Sequence, residues 1–598
     1  MTDNILVAVA WPYANSQIHV GNITGSYLPA DIFARYHRLV GNQVAMVSGS
    51  DAHGTPVTVR ADAENSSPLQ VYQKYHGTFL ELFQKLGLTY DLFTSTHTEN
   101  HFKVAQDIFL ALQKNGYIYT ARDKQWYSPS QRRFLPDRYV EGVCYICGYP
   151  NARGDQCDGC GSLLDATLLI NPRSKIDGTT PELHETEHMF LDLGKLQPII
   201  VDFLRQRESY WRSNVLRQSL GQILANDLHG RAITRDLDWG IPVPVEGWSG
   251  KCLYVWFEAV IGYLSATIEW AKLIGQPEAW HDWWYNPSSR SYYFIAKDNI
   301  PFHAVIWPSQ LHGAGEWFGK LFEEHEGDYL NLPFDVPANE FLNLEGQKIS
   351  GSRNWAVWGL DSLSRYDPDP LRYYLTMNMP ESKDTDWDWD GFLHRNNDEL
   401  VATWGNLANR VLSFAYRNWD GRVPTPGELR PADQAILASI EAGFKLVGEQ
   451  LESVHLRAAL TEAIRLASEV NKYLDTAAPW FEIKTDRNAA ATTIYTALRA
   501  IDSLKVLLSP FLPFTSERLH TCLGYQTTLF GEQGLETCVD NLGDHTVLRY
   551  FPEKASGRWS PANFQPDRCY NRRRPSSASW MKASLQKNER GWDIRPDI

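Results

Sequence analysis

Residues 5–22 read ILVAVAWPYANSQIHVGN, and this stretch decides the fold. Its first six residues form a continuous apolar run, which is typical of a parallel strand buried on both faces, and the run breaks at Pro12. Apolar residues at helical spacing then begin near Val20 and stop at Gly41, a residue type that commonly ends helices. The stretch therefore predicts a strand, a turn and the start of a helix.

The turn after the first strand is one of two segments in which we expect ligand-binding residues. Residues 44–47 (VAMV) predict the next strand, which completes a βαβ unit. Such a unit opens its ligand crevice at the carboxyl ends of its strands, here residues 11–19 and 48–54. A second strand and helix pattern begins at residues 292–295 (YYFI), so we expect the α/β unit to be split by an insertion.

The composition is that of an ordinary globular protein, with 43% hydrophobic and 21% charged residues. No apolar run approaches the roughly 20 residues that span a bilayer, and the first residues lack the basic start of a secretory signal. We therefore expect a cytoplasmic protein with no membrane partner. The net charge of −14 argues only weakly against a nucleic-acid partner, because one basic groove is enough for binding.

Four of the eight cysteines lie within seventeen residues: Cys144, Cys147, Cys157 and Cys160. They form two Cys-x-x-Cys pairs, each of which sets two thiolates on one tight turn, and the four sulfurs suit the tetrahedral geometry of zinc. A disulfide-bonded or unligated set is the alternative, which a cytoplasmic location disfavours. Because four protein ligands leave no open position, we predict one structural zinc ion.

Two further segments contain residue types that handle phosphate. His19 and Gly21 follow the first strand and open the helix, where an imidazole can donate to phosphate oxygens and bare backbone can lie against an adenine. Residues 345–353 (EGQKISGSR) form a polar loop with a lysine suited to closing over a triphosphate. Each segment alone is a weak signal, because a histidine near a turn is more often structural and the loop alone is a polar turn.

Taken together, the two segments resemble the paired signatures of class I aminoacyl-tRNA synthetases, His-Ile-Gly-His and Lys-Met-Ser-Lys-Ser. Other stretches resemble the methionyl-tRNA synthetase family, in the same order along the chain. They are AWPYAN (10–15), GSDAHGTP (49–56), FLPDR (134–138), YVWFEA (254–259) and FHA (302–304). The resemblance extends from about residue 4 to residue 550.

The resemblance implies a methionine pocket of aromatic and small residues, in which Asp51 holds the amino group. The residues carried over are Ala10, Trp11, Tyr13, Asp51, Trp256, Ala259, Val260, Tyr263 and His303. A thioether is soft and polarisable, so it packs well against ring edges. Ordinary core packing is the alternative for each aromatic residue. Trp11 and Val260 stand where the family commonly has Leu and Pro, so the position of the pocket is better determined than its shape.

The resemblance also implies that methionine is activated with ATP, as its Mg²⁺ complex, and is then passed to the terminal ribose of tRNA(Met). The residues implied in catalysis are His19, Asn22, Arg235 and Lys348. Those implied in ATP binding are Tyr13, His19, Gly21, Asn22, Lys297, Asp298, Lys348 and Ser350. For Arg235, an ion pair with a neighbouring carboxylate is an equally good interpretation.

From about residue 395 to 525 apolar residues recur at helical spacing, which predicts a helical bundle. By the resemblance this bundle reads the anticodon through Asn406, Arg410 and Trp480, since an arginine and a tryptophan suit unpaired bases. Surface charge for Arg410 and core packing for Trp480 are the alternatives. The partners expected are therefore tRNA(Met), L-methionine and ATP, and we expect a monomer.

A chain of 598 residues is too long for one core, since cores stop growing near roughly 250–300 residues. We expect an α/β fold: a Rossmann-like catalytic domain with a parallel sheet, split by a zinc-knuckle insertion, and then an all-α anticodon-binding bundle. The expected parts are the first catalytic half (1–119), the insertion (120–230), the second catalytic half with its mobile loop (231–362), a connector (363–394), the bundle (395–550) and a disordered tail (551–598).

One residue departs from the signatures in a way that bears on function. Gly351 occupies the position of the second signature lysine, and we expect Lys348 and Arg353 to share its work. A catalytically impaired paralogue that only binds tRNA is the alternative function. A cysteine-specific enzyme would need zinc ligands in the amino-acid pocket, and isoleucine, leucine or valine enzymes would need an editing domain that residues 120–230 cannot also hold.

Overall fold

A computed structural model of the chain describes residues 2–154, 157, 159, 164–319, 321, 328–351 and 354–562. The predicted tail beyond residue 562, and the predicted site residues Cys160 and Arg353, lie outside these residues. In the part that the structure describes, no helix is both long and apolar enough to cross a membrane.

The first part of the chain forms the predicted βαβ unit. Its elements are β1 (Asn4–Val9), α1 (Val20–Asn22), a π-helical segment (Ile23–Tyr27), α2 (Leu28–Val40), β2 (Gln43–Ser50), α3 (Thr55–Glu64), α4 (Pro68–Leu86), β3 (Leu92–Ser95) and α5 (Glu99–Lys114). Gly41 ends α2 in the left-handed conformation, with φ of 102°, as its position in the sequence predicts. β1 is buried on both faces, because helices cover both sides of the sheet.

The insertion contains short strands and helices. Its elements are β4 (Ile118–Ser128), β5 (Arg133–Phe134), β6 (Val140–Val143), β7 (Ala152–Arg153), β8 (Ile170–Ser174), β9 (Glu182–Leu191), α6 (Leu193–Arg205), α7 (Ser213–Gln218) and α8 (Leu220–Asn226), with 3₁₀ turns at Asp137–Tyr139 and Ala166–Leu168. β4 and β9 form a long antiparallel ribbon, and β6, β7 and β8 form a small sheet beside the cysteine pairs.

The chain then returns to the α/β unit. The elements are β10 (Arg231–Ala232), β11 (Thr234–Arg235), β12 (Cys252–Leu253), α9 (Val255–Glu258), α10 (Gly262–Leu273), α11 (His281–Trp284), β13 (Arg290–Ala296), α12 (Trp307–Gly319), β14 (Ala338–Asn339), β15 (Leu342–Leu344), β16 (Gln347–Lys348), α13 (Gly359–Arg365), α14 (Pro368–Met377), β17 (Thr385–Trp387) and α15 (Trp389–His394). Three short turns of 3₁₀ or π helix link them, at Ala259–Ile261, Lys297–Asn299 and Phe302–Ile306. β13 pairs in parallel with β1, so the split unit closes as predicted.

The last part is mostly helical. After a π-helical segment (Arg395–Gly405) come α16 (Asn406–Asn418), α17 (Pro431–Glu452), α18 (Leu456–Ala477), α19 (Pro479–Glu482), α20 (Arg487–Leu508), α21 (Pro513–Cys522), β18 (Glu532–Cys538), β19 (His545–Phe551) and a 3₁₀ turn (Pro552–Lys554). The strands have the order β14-β13-β1-β2-β3-β19-β18, in which β19 is antiparallel to β3 and to β18.

Two predictions about this last part are wrong. Residues 532–551 are a β-hairpin that extends the catalytic sheet, and are not part of an all-α bundle. The sheet is therefore mixed, because its edge strand β3 accepts an antiparallel partner from the far end of the chain. The start of the predicted disordered tail is also packed, since the Trp559 Nε1 donates to the Phe444 carbonyl at 3.0 Å and its ring meets Tyr36 edge to face.

Candidate functional site

A cavity of about 590 Å³ lies at the carboxyl ends of β1, β2 and β13. It is lined by every residue that the resemblance places around methionine: Ala10, Trp11, Tyr13, Asp51, Trp256, Ala259, Val260, Tyr263 and His303. Lys297 and Asp298 line it as well. These residues come from four separate stretches, and the parallel pairing of β1 with β2 and β13 brings the stretches to one crevice.

Hydrogen bonds hold the rings of this cavity in place. Trp256 Nε1 donates to the Tyr13 hydroxyl at 2.7 Å. The Nδ1 of His303 lies 2.9 Å from the Asn299 carbonyl, and its Nε2 lies 2.7 Å from the Tyr263 hydroxyl. Burial lowers the pKa of His303 to about 4, so the ring is neutral and its one proton sits on Nδ1. Tyr263 therefore donates to His303, which fixes the direction of its hydroxyl.

Glycines make room for Trp11, one of the two pocket residues that depart from the family pattern. A Cβ on Gly262 would come within 2.6 Å of the Trp11 ring, and a Cβ on Gly49 would overlap it. The Tyr263 ring meets the indole edge to face, with 6.3 Å between the centroids. The Trp11 ring therefore packs closely as one wall of the cavity. It fits there only because Gly49 and Gly262 have no side chains.

Behind Asp51 lies a buried network that the sequence analysis missed. The Glu258 carboxylate accepts from His53 Nδ1 at 2.9 Å and from His101 Nε2 at 2.7 Å. Burial and the Glu258 charge raise the pKa of Asp51 well above its usual range. His53 and Glu258 lie in the family-like stretches at 49–56 and 254–259, so the resemblance could have pointed to these two residues of the network.

His19 is held in one orientation by the start of α1. Its Nδ1 accepts from the Asn22 N–H at 3.3 Å, and the Asn22 side chain accepts from the His19 N–H at 3.2 Å. Burial lowers the pKa of His19 to about 4. The neutral ring therefore carries its proton on Nε2, which leaves that N–H available as a donor to a ligand.

The segment around His19 and Gly21 pairs with the chain just after the polar loop at 345–353, and neither His19, Gly21 nor the loop lines the cavity. The Val20 N–H donates to the Val357 carbonyl, and the Gly359 N–H donates to the Ile18 carbonyl, each at 2.9 Å. A Cβ on Gly21 would lie 3.2 Å from Ile349 Cδ1, so the glycine permits the contact with the loop.

The predicted phosphate-binding cations fall into two groups. Lys297 and Lys348 share the Phe341 ring, with Nζ atoms 4.4 Å and 5.3 Å from its centroid. Lys297 is also bonded to Glu340 and Asp384, at 2.7 Å each. Arg235 lies apart from both: it lines a neighbouring cavity, stacks on Tyr254 and donates to the carbonyl oxygens of Ala232 and Thr234.

Three of the four clustered cysteines lie in the described part of the chain and face one another. The sulfurs of Cys147 and Cys157 are 3.6 Å apart, and those of Cys144, Cys147 and Cys157 all lie within 4.8 Å of each other. Backbone N–H groups point at two of the sulfurs, from Ile146 to Cys144 at 3.4 Å and from Gly159 to Cys157 at 3.3 Å. Such donors favour thiolates, so this donor set fits a zinc ion.

The predicted anticodon residues also meet on one surface. The Arg410 guanidinium lies 4.6 Å from the Trp480 ring centroid and pairs with Asp475 at 2.8 Å. Asn406 is exposed one turn earlier on α16. Phe481, which the sequence analysis did not single out, is 68% exposed beside Trp480.

Comparisons with known proteins agree along almost the whole chain. The family model described as tRNA synthetases class I (M) matches residues 5–412, and that described as the anticodon binding domain of methionyl tRNA ligase matches residues 423–548. The methionine–tRNA ligase of Thermomicrobium roseum is 55% identical over 570 residues, which cover 95% of each chain. That of Roseiflexus sp. is 52% identical over 575 residues, again 95% of each chain.

A solved structure is similar in fold. It is the methionyl-tRNA synthetase of Mycobacterium tuberculosis bound by methionyl-adenylate, with a TM-score of 0.70 and 23% identity over 88% of this chain and 94% of that one. At this identity the likeness concerns the fold alone. The family models and the identity to the curated ligases carry the assignment: the chain belongs to the methionyl-tRNA synthetase family of class I aminoacyl-tRNA synthetases.

Proposed function

We propose that the chain is a methionine–tRNA ligase, which activates L-methionine with ATP and transfers it to tRNA(Met). The observation that carries this proposal is the convergence of nine residues, predicted from four separate stretches, on one cavity at the carboxyl ends of the parallel strands. Family membership supports the same reaction. A monomeric state and a cytoplasmic location stay predictions of the sequence.

In this proposal the cavity selects methionine by shape, polarisability and charge. Trp11, Trp256 and Tyr263 offer ring edges to the thioether. Asp51 is buried at the cavity wall and accepts the α-ammonium group. Since the ammonium favours the ionised carboxylate, binding offsets the burial and the Glu258 charge that keep the pKa of Asp51 high.

Activation needs positioning and charge stabilisation, and no nucleophilic side chain takes part. A methionine carboxylate oxygen attacks the α-phosphorus of ATP, the bond from that phosphorus to the bridging oxygen breaks, and pyrophosphate leaves with the electron pair. His19 Nε2–H donates to phosphate oxygens, with Asn22 beside it. Gly21 leaves bare backbone for the adenine. Mg²⁺ enters as part of the ATP substrate.

Positively charged side chains stabilise the departing pyrophosphate. Lys348 sits on an exposed hairpin, where Glu345 and Gly346 take positive φ values of 49° and 75° to make a tight turn. The Lys348 ammonium and the Ser350 hydroxyl reach the departing pyrophosphate, while Lys297 and Asp298 flank the nucleotide. Arg235 acts from a neighbouring cavity, so we assign it a weaker, longer-range share of the positive charge.

Transfer completes the reaction. A terminal ribose hydroxyl of the tRNA attacks the adenylate carbonyl carbon, the carbonyl–phosphate bond breaks, AMP leaves and the hydroxyl proton passes to solvent. Arg410 and Trp480 hold anticodon bases by stacking, and Asn406 reads a base edge.

One zinc ion would be held by Cys144, Cys147, Cys157 and Cys160. It would tie two chain turns together and leave no coordination position open for chemistry.

Two assays test the proposal. Methionine-dependent exchange of pyrophosphate into ATP reports activation, and attachment of methionine to purified tRNA(Met) reports transfer. We expect both activities, with methionine preferred over leucine and isoleucine. An impaired paralogue that only binds tRNA would retain tRNA binding and show no exchange above background, and that result would overturn the proposal.

A further inference from the structure

The C-terminal hairpin carries a second cluster of metal-ligating side chains, far from the cysteine knuckle in the chain. Cys538 on β18 lies directly opposite His545 on β19 in the antiparallel register. Glu269 reaches them from α10, with its Oε1 at 3.1 Å from His545 Nε2. One ligand atom from each residue lies within 4.8 Å of the other two.

The donor set has the chemistry of a zinc site. A thiol, an imidazole and a carboxylate are the three ligand types that zinc takes in proteins. Ligands about 2 Å from a tetrahedral ion stand roughly 3.3 Å apart, which is close to the observed separation of 3.1 Å between the histidine nitrogen and the glutamate oxygen. We propose that Glu269, Cys538 and His545 form a second zinc site, which fastens the C-terminal hairpin to α10 and leaves one coordination position for water.

The surroundings of the cluster suit a cation. Both oxygens of Glu269 lie 3.0 Å from the Thr94 hydroxyl, so the carboxylate is already oriented by an outer partner. His545 is 8% exposed, so the imidazole is largely shielded from solvent.

Cys538 lies directly across the hairpin from His545 and takes no part in the ion pair between Glu269 and His545. Asp540 and Asp544, in the turn of the hairpin, add negative potential at His545.

The site would join two parts of the molecule that the chain connects only distantly. Glu269 belongs to a helix that packs on β2 and β3, whereas the hairpin follows the anticodon-binding helices. Zinc bound there would stabilise the antiparallel addition of β19 to β3. Metal binding at this site does not depend on the proposed ligase activity.

Zinc content tests the proposal. The full chain is incubated with zinc chloride, freed of loosely held metal on a weak chelating resin, and analysed by atomic emission. We expect about two equivalents per chain, one from the knuckle and one from this site. Cys538→Ser and Glu269→Gln should each lose about one equivalent, because three ligands cannot spare one. The control Cys522→Ser, a half-buried cysteine outside the cluster, should lose none.

Cobalt provides a second measurement, which separates a metal site from a structural ion pair. Added Co²⁺ should give a thiolate-to-cobalt absorption band in a variant that lacks one cysteine of each knuckle pair, Cys147→Ser with Cys157→Ser, and this band should vanish when Cys538→Ser is added. Equal zinc content in wild type and Cys538→Ser, with no cobalt band, would overturn the proposal. Pyrophosphate exchange measured on the same samples shows that the variants are folded. If the wild-type chain shows no exchange, the ligase proposal fails, but the zinc counts still test the metal site.

Discussion

The indole Nε1 of Trp256 donates a hydrogen bond of 2.7 Å to the hydroxyl of Tyr13, across 243 residues of sequence. Tyr13 follows the first strand, and Trp256 follows the insertion, so the bond links the two halves of the catalytic unit. It holds two rings at the wall of the cavity that we assign to methionine.

Loss of this bond should weaken methionine binding more than catalysis. A hydrogen bond of this kind contributes about 0.5–1.5 kcal/mol, so Tyr13→Phe should raise the KM for methionine roughly 2- to 13-fold and change kcat little. Pyrophosphate exchange at varied methionine measures both constants. Tyr416→Phe, in the helical region, is the matched control. An unchanged KM would show that the rings need no such bond.

Restoring the missing signature lysine should have little effect. A Cβ on Gly351 would lie 3.2 Å from the Trp358 ring, so a side chain fits after a small shift. Since we expect Lys348 and Arg353 to share the work of the missing lysine, Gly351→Lys should change the exchange rate less than about fivefold. Gly351→Ala controls for the added side chain. A gain on the order of a hundredfold would mean that the enzyme lacks a charge that nothing replaces.

Truncation of Trp480 should affect tRNA and leave activation intact. Stacking of a base on an aromatic ring contributes about 1–3 kcal/mol, so Trp480→Ala should raise the KM for tRNA(Met) roughly 5- to 150-fold. Pyrophosphate exchange without tRNA should stay at the wild-type rate, because Trp480 is not among the residues that line the cavity. Trp419→Ala is the control. Equal KM values for wild type and Trp480→Ala would remove this residue from the anticodon surface.

Acid should destabilise the protein through its buried histidines. Burial lowers the pKa of His37 to about 3 and those of His76 and His303 to about 4. The unfolded chain binds protons at these positions below about pH 6.5, and the folded chain does not. The free energy of unfolding should therefore fall between about pH 6.5 and pH 4, by up to about 1.4 kcal/mol per pH unit for each histidine.

Urea unfolding at a series of pH values measures this slope. His76 is a good test position, because its two ring nitrogens lie 2.7 Å and 2.6 Å from Ser50 Oγ and the Thr546 carbonyl, as a neutral ring allows. His76→Gln should therefore show a shallower loss of stability in acid than wild type. Identical slopes in the two proteins would show that His76 does not titrate differently on unfolding.

Loss of a knuckle cysteine should remove zinc and leave the chemistry in place. Cys147→Ser breaks a set of sulfurs that lie within 4.8 Å of each other. We expect one equivalent less zinc and faster amide hydrogen exchange around the small sheet of β6, β7 and β8, with methionine-dependent pyrophosphate exchange retained. Abolished exchange in a folded Cys147→Ser protein would give the knuckle a direct part in activation.

Local sequence predicted the elements of the catalytic unit, because buried parallel strands and glycine-ended helices leave strong local patterns. The strand expected at residues 5–10 is Asn4–Val9, and that expected at 292–295 is Arg290–Ala296. The hairpin at 532–551 was missed for the opposite reason. β18 reads EQGLETC and is half-exposed, so it shows little apolar alternation, and its pairing with a distant edge strand defines it.

The motifs of the sequence by themselves determined the family and the set of residues around the candidate methionine cavity, because those residue types stand at fixed places after predicted strands. Only the tertiary structure decided which groups act on each other. It set Glu258 between His53 and His101 behind Asp51, engaged Lys297 with two carboxylates, and put Arg235 in a neighbouring cavity. Desolvation and charge pairing depend on distances between residues far apart in the chain, and no local pattern encodes those distances.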